Sequence, residues 1–215
     1  MRICSCPASA ALTSIPKYTC PADFGQMRRL VFQRLKQADG TRNSFNANGD
    51  PSSDITLLAS WTPLLAATDG TKVVISPELY GLQDSGGDVI TWGSGNEVPG
   101  GVPEPVGSNP ITAAATFRHL PQEIIKAMRD LECDAAAGNL GIYPINEAGQ
   151  FEAIKGETDG VYYPIPIRSL FIGAKVHGGI QEPDSNAISW SYMPNWSDDV
   201  TIVTPSFDPL TQLDQ

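Results

Sequence analysis

Residues 112–145, TAAATFRHLPQEIIKAMRDLECDAAAGNLGIYPI, indicate the fold more clearly than any other stretch of the chain. The first seven are mostly small or β-branched and predict a strand. Pro121 then opens a helix, at the position where its missing N–H costs nothing, and Gly138 ends it. Residues 140–145 predict the next strand. The apolar face of the helix is expected to consist of Ile124, Ile125, Met128 and Leu131.

Strand-like runs lie on both sides of this helix. Before it, residues 27–35 and 72–76 have strand character, and Asp54 is expected to cap a short helix through Trp61 that Pro63 kinks. After the helix the strand-like runs are 140–145, 151–154, 165–172, 187–192 and 200–203. Strands before and after a single helix predict a mainly β fold of sandwich or barrel type with one packed α-helix.

Two segments depart from this pattern of strands. Residues 81–110 are rich in Gly and Pro and predict a long loop, or a hairpin with Val89, Ile90 and Trp92 in one arm. Residues 1–25 contain several prolines and no helical period, which predicts an extended N-terminal arm. We therefore expect one β-rich domain over residues 1–215, with an arm and a long loop attached.

The charge of the chain restricts its partners. Fourteen Lys and Arg against 24 Asp and Glu give a net charge of −10 and a pI near 4.5, so the surface repels phosphates. Residues 73–117 and 176–215 contain no Lys or Arg, whereas cations concentrate between Arg28 and Arg42. This separation favours packing of acidic faces on basic faces between subunits, although chance clustering explains it equally well.

No motif for catalysis or metal binding stands out. His119 and His177 lie in no ligand spacing, and Cys4 and Cys6 are separated by one residue where zinc sites use two to four. The chain has no GxSxG motif and no phosphate-binding loop. Its apolar runs are too short for a membrane span, and the N-terminus lacks the apolar core of a signal peptide. We therefore expect that the protein is not an enzyme and binds no metal or cofactor. We also expect its cysteines to be reduced.

Three short stretches resemble structural proteins of tailed phages that infect Bacteroidetes-type hosts. They are residues 20–26 with the Val-Phe-Gln strand that follows, residues 124–133 of the helix, and residues 182–190 with 196–198. The order of strands, long loop or hairpin, one helix and further strands is similar to that of a tail tube protein. The resemblance covers most of the chain and consists of pattern rather than of a diagnostic motif.

The resemblance implies a β-sandwich of the tail-tube type whose copies form hexameric rings. The rings stack into a tube with an inner β-barrel, through which DNA leaves the capsid. Its partners would be further copies of the chain, other virion tail proteins, and genomic DNA that passes without specific binding. The protein would be made in the host cytoplasm and reside in the virion tail, with no membrane partner.

Candidate contact and channel residues follow from these expectations. The arm, the long loop and the C-terminal part supply the interface candidates, because aromatic residues concentrate at contact centres, although each Trp suits a core equally well. Acidic residues supply the channel candidates, because a negative wall repels phosphates. The interface candidates are Cys20, Phe24, Trp92, Glu97, Trp190 and Trp196, and the lumen-facing acidic candidates are Asp84, Asp88 and Glu104.

Two other classes of function fit the same sequence. A neck, tail-completion or head-decoration protein of a virion would share this composition but would not form a continuous channel. An unrecognised hydrolase, such as a carboxylate-based glycosidase, would need two carboxylates facing each other across a cleft. Assembly instead requires extended flat interfaces and no deep polar pocket.

Overall fold

The computed structural model describes residues 24–47, 50 and 52–214. Most of the expected arm, including Cys20, lies outside these residues. The strands are β1 Met27–Arg34, β2 Phe45–Asn46, β3 Val73–Ile75, β4 Tyr80–Gly86, β5 Val89–Trp92, β6 Glu104–Ser108, β7 Ile111–Arg118, β8 Leu140–Asn146, β9 Phe151–Lys155, β10 Val161–Tyr163, β11 Ile165–Val176, β12 Ser185–Tyr192 and β13 Val200–Val203. The helices are α1 Leu58–Ala66, α2 Gln122–Ala136 and α3 Pro209–Gln212.

The chain divides into two compact units. The described part of the first is residues 88–109, and that of the second is residues 24–87 and 110–214. The second unit is a curled antiparallel sheet in the form of a half-barrel, with α2 packed on it. The prediction of a mainly β fold with one packed helix is confirmed.

Strands β1 and β8 lie in the middle of the second unit and separate two hydrophobic cores. Along β1, Leu30 and Phe32 belong to the first core, and Val31 between them belongs to the second. This alternation follows from the two-residue period of a strand, whose side chains point to opposite faces. β8 is buried along its whole length, which explains why it has no polar alternation in its sequence.

A four-stranded sheet continues from this centre. β11 pairs with β8 at its start, where Ile165 lies opposite Ile142, and then pairs with β12. The order β11, β12, β7, β4 completes what we call the four-stranded sheet. Two side chains of α2 form hydrogen bonds with the backbone of β11. Glu132 accepts a hydrogen bond from the Ile172 amide at 2.7 Å, and Arg129 donates to the Ile172 carbonyl at 3.3 Å.

The two predicted helices, α1 and α2, differ in detail from their predictions. In α2, Ile125 and Met128 are buried, but Ile124 is 39% exposed, so the apolar face is narrower than predicted. Pro121 precedes the helix as its N-cap residue, and Gly138 beyond its end has φ +72°, as a helix-ending glycine requires. α1 begins at Leu58, not at Asp54, whose carboxylate instead accepts from the Thr56 amide in a turn.

Residues 81–110 contain more regular structure than a loop. Their first part is β4, which pairs with β7 in the four-stranded sheet. In the first unit β5 pairs with β6, with Trp92 opposite Glu104, so the hairpin prediction is confirmed. Short 3₁₀ turns at residues 95–97 and 99–101 lie between the two strands. We call residues 88–109 the hairpin.

Candidate functional site

Strands β7 and β12 of the four-stranded sheet have one buried face and one face of small side chains. In β7, Ala113, Ala115 and Phe117 point into the first core, and in β12 Ile188 and Trp190 do the same. The residues between them are half-buried or exposed. Together they form what we call the small-residue face, which consists of Thr112, Ala114, Thr116, Ser185, Ala187, Ser189 and Ser191.

The small-residue face is neutral and closely registered. Ser189 lies opposite Ala114, and Thr112 lies opposite Ser191 with their hydroxyl oxygens 3.2 Å apart. The nearest cation in β7 is Arg118 at the strand end, whose guanidinium lies 4.4 Å above the Tyr80 ring. Binding of nucleic-acid backbones depends on Lys and Arg that neutralise phosphates. The seven residues of this face therefore carry no charge that binds a phosphate. At its border in β11, exposed Arg168 lies opposite Ser191 and exposed Phe171 lies opposite Ser189.

The sheet ends at β4, whose outer edge has no partner strand among the described residues. This seven-residue strand contains no Pro and no Lys, two of the usual means of blocking an edge, and it has one register irregularity between Tyr80 and Gln83. Its one charged residue, Asp84, lies opposite Ala113, which is a core residue. An exposed edge of this kind is a template for pairing with another chain.

Asp84 is exposed, yet it lies close enough to Glu152 and Tyr192 for its charge to act on both, and these three residues form a polar cluster. Burial, and then the charge of Asp84, raise the pKa of Glu152 to about 7. Burial also raises the pKa of Asp84 and, well above its usual range, that of Tyr192. Tyr192 stacks on Trp196 with ring centroids 4.2 Å apart. The cluster therefore combines two interacting carboxyls with an aromatic wall.

Glu152 was missed by the sequence interpretation although its position carried a signal. Phe151 and Ala153 point into the second core, so strand alternation turns Glu152 towards the opposite, inner side of β9. A glutamate at an inward-facing strand position is unusual, because burying an ionised carboxylate costs several kcal/mol. Such a residue signals either a buried charge partner or a carboxyl that keeps its proton.

The Glu152→Gln variant is expected to be more stable than the wild type above pH 7. In the folded chain Glu152 keeps its proton up to about pH 7, whereas in the unfolded chain it ionises near its ordinary pKa of 4.5. The stability that this carboxyl contributes is therefore complete below pH 4.5 and is lost as the pH rises through 7. For a half-buried group the difference is on the order of 1–2 kcal/mol after allowance for solvent screening.

Urea unfolding at a series of pH values between about 5 and 8 measures this effect. As the pH rises from about 5 to 8, the free energy of unfolding should fall less in Glu152→Gln than in the wild type. The matched control is Glu157→Gln, since Glu157 is exposed at the end of the same region and should leave the profile unchanged. Equal pH profiles for wild type and Glu152→Gln would show that Glu152 is ionised in the folded protein at neutral pH.

The two carboxyls meet only part of what a hydrolase requires. A raised pKa suits a general acid, but the substrate also needs an open cleft between the carboxyls. Trp190 and Tyr192 beside them are buried. Three cavities in the structure lie elsewhere, and neither Asp84 nor Glu152 lines any of those three.

The structure places the predicted interface residues in different environments. Trp190 is fully buried in the first core, so the prediction that it lies at an interface is wrong. Phe24 and Trp196 are half-buried and pack against the same core. Trp92 is 58% exposed on the hairpin, and Glu97 is exposed there, with its carboxylate 3.3 Å from the Ser94 amide.

None of the three acidic channel candidates lies on the small-residue face. Asp84 is exposed on β4, where it lies opposite the core residue Ala113, and its assignment to the channel stays a prediction. Asp88 and Glu104 lie in the hairpin. Sequence alone could not distinguish these positions, because the hairpin and β4 share one acidic, glycine-rich segment.

Comparison with models of protein families gives no match, and comparison with curated protein sequences gives none either. In the part of the chain that the structure describes, no three His, Cys, Asp or Glu side chains gather as a metal site would require. Within the same residues no helix is long and apolar enough to cross a membrane.

Proposed function

We propose that this protein is the structural subunit of a phage tail tube, assembled as stacked hexameric rings that enclose the DNA-ejection channel. The observation that carries the proposal is the four-stranded sheet, which combines a neutral small-residue face with an unpaired edge at β4 among the described residues. On this proposal its partners are further copies of itself, other tail proteins and passing DNA, and its location is the virion tail.

The unpaired edge supports assembly into a closed structure. An exposed edge strand is a hazard for a monomer, and closure of a sheet into a barrel removes it. A ring of identical subunits achieves this closure when each β4 edge pairs with a neighbouring copy. Contacts of this head-to-tail type form rings when the rotation between copies closes.

The small-residue face supports a channel wall. DNA must pass without binding, and the short neutral side chains of β7 and β12 provide neither cations nor protrusions. The cation Arg168 and the ring of Phe171 lie beside them in β11. The net charge of −10 on the chain further disfavours adsorption of DNA. The channel wall proposed here is neutral at its centre, in place of the acidic wall expected from sequence.

Thiol labelling of a Ser189→Cys variant tests this assignment. The native cysteines Cys4, Cys6, Cys20 and Cys133 are first replaced by Ser, so that position 189 carries the one thiol. In assembled tubes we expect full reaction with a small maleimide and at least about tenfold slower reaction with a maleimide on a large polymer. In the dissociated protein both reagents should react, because Ser189 lies on the open face of the sheet.

Two results would contradict the channel assignment. Protection of the Ser189→Cys thiol from both reagents in the assembly would mean that the small-residue face packs against another protein surface. Equal reaction with both reagents would place the face on the outside, as in a head-decoration protein. The same measurement on Glu157→Cys, at an exposed position away from the four-stranded sheet, provides the reference rate.

A further inference from the structure

The hairpin exposes more apolar surface than an isolated two-stranded ribbon can sustain in water. Its exposed apolar side chains are Val89, Ile90, Trp92, Val102 and Val106. Trp92 is the most exposed tryptophan, since Trp61 and Trp190 are fully buried and Trp196 is half-buried. Residues 88–109 also contain three acidic residues and no Lys or Arg, and one of the acids, Glu104, lies directly opposite Trp92.

The second unit contains a partly apolar cavity. It has a volume of about 160 Å³ and lies between α2 and strands β1 and β3. Phe32, Val74, Leu131 and Leu140 form its apolar walls. A cavity of roughly 150 Å³ lined by apolar side chains is large enough to bind benzene, so this one has room for the six-membered ring of an indole, with the five-membered ring at its mouth.

One cation remains available at the rim of this cavity, judged by the described residues. Arg34 is occupied by Asp134, with two N···O distances of 3.1 Å. Asp69 accepts hydrogen bonds from the amide and hydroxyl of Thr71. Lys72 is exposed and forms no ion pair within the described residues. The rim therefore offers a positive charge to an acidic partner.

We infer that Trp92 of one copy inserts into the cavity between α2, β1 and β3 of a second copy, with Glu104 of the first copy facing Lys72 of the second. The inference rests on the proposed self-assembly and specifies one of its contacts. Trp is among the residue types most enriched at the centres of protein interfaces, and a charge pair at the rim adds specificity. The contact is head-to-tail, because the hairpin and the cavity are different surfaces of the same chain.

Two single-sided variants test this contact. Trp92→Ala removes the ring from the hairpin and leaves the cavity intact. Lys72→Glu/Val74→Glu places negative charge at the rim and leaves the hairpin intact, and both positions are exposed. Each variant alone should associate at least about thirtyfold more weakly than the wild type in light scattering, as loss of a central interface residue predicts. Val102→Ala, a truncation elsewhere on the hairpin, should associate like the wild type.

Mixing the two defective variants gives the sharpest readout. The intact hairpin of the Lys72→Glu/Val74→Glu variant fits the intact cavity of Trp92→Ala, and no second contact of this kind can follow. In analytical ultracentrifugation the mixture should therefore form one-to-one pairs at concentrations where each variant alone does not associate.

The results that would contradict the Trp92 contact differ from those that would contradict the proposed function. If the wild type assembles and either variant assembles equally well, the contact is wrong and the tail-tube proposal stands. A mixture that stays monomeric while the wild type assembles also overturns the contact. If the wild type is monomeric at every concentration, both the contact and the proposed function fail.

Discussion

Replacing residues 87–110 by Asn-Gly is expected to give a folded monomer that no longer assembles. Gly86 lies opposite Ile111 in the β4–β7 pair, so a two-residue turn can join these strands directly. The deleted hairpin contributes exposed apolar side chains and, apart from Val98, none of the buried hydrophobic residues. We expect association to fall below detection in light scattering, while cooperative melting is retained.

The boundaries of this deletion matter because β4 extends to Gly86. A deletion that began at residue 83 would remove four of the seven residues of β4 and would destabilise the four-stranded sheet as well. A second variant, which keeps β5 and β6 but replaces residues 95–101 by Gly-Gly, locates the effect within the hairpin. Loss of cooperative melting after the full deletion would show that the hairpin belongs to the core. Unchanged assembly would show that the hairpin is not a contact element.

Trp61→Ala is expected to destabilise the fold by about 3–5 kcal/mol. Trp61 is fully buried in the second core, stacked on Phe151 with ring centroids 4.8 Å apart and lying 4.4 Å from the Phe45 ring. Its indole N–H donates to the Ile55 carbonyl at 2.9 Å. The loss would be a large share of a typical stability of about 5–15 kcal/mol, so the variant is expected to be partly unfolded at physiological temperature.

Urea unfolding of the wild type and two Trp variants measures this difference. Trp92→Ala provides the matched control, because the same side chain is removed from an exposed position and should change stability by less than about 0.5 kcal/mol. Similar losses for both variants would mean that Trp61 is not the centre of a packed core. A loss at Trp92 alone would mean that the hairpin, rather than α1, completes the fold.

Elements with a strong periodic pattern could be predicted from the sequence. α2 and its neighbours β7 and β8 were identified because a helical repeat with a proline before it and a glycine after it is a local signal. The short strands β2 and β10 were missed, because two or three residues carry no usable period. Their pairing depends on contacts between distant parts of the chain, where Tyr162 lies opposite Phe45.

The candidate site was harder to predict than the fold. Ala114 and Ser189 carry no chemical signal of their own, and their meaning arises only when the register of β7 and β12 places them side by side. The four tryptophans look alike in the sequence, yet burial separates Trp61 and Trp190 in the cores from Trp92 on the hairpin. Burial depends on tertiary packing, so residue type alone could not assign these roles.

Negative-stain electron microscopy of the purified protein at increasing concentration, with its mass measured by light scattering, tests the central claim most directly. We expect concentration-dependent rings or tubes with a central hole, whose mass is a multiple of that of a closed ring. A monomer of 23.0 kDa at every concentration would contradict it. That result would favour a partner-dependent virion part, or a hydrolase that uses Asp84 and Glu152.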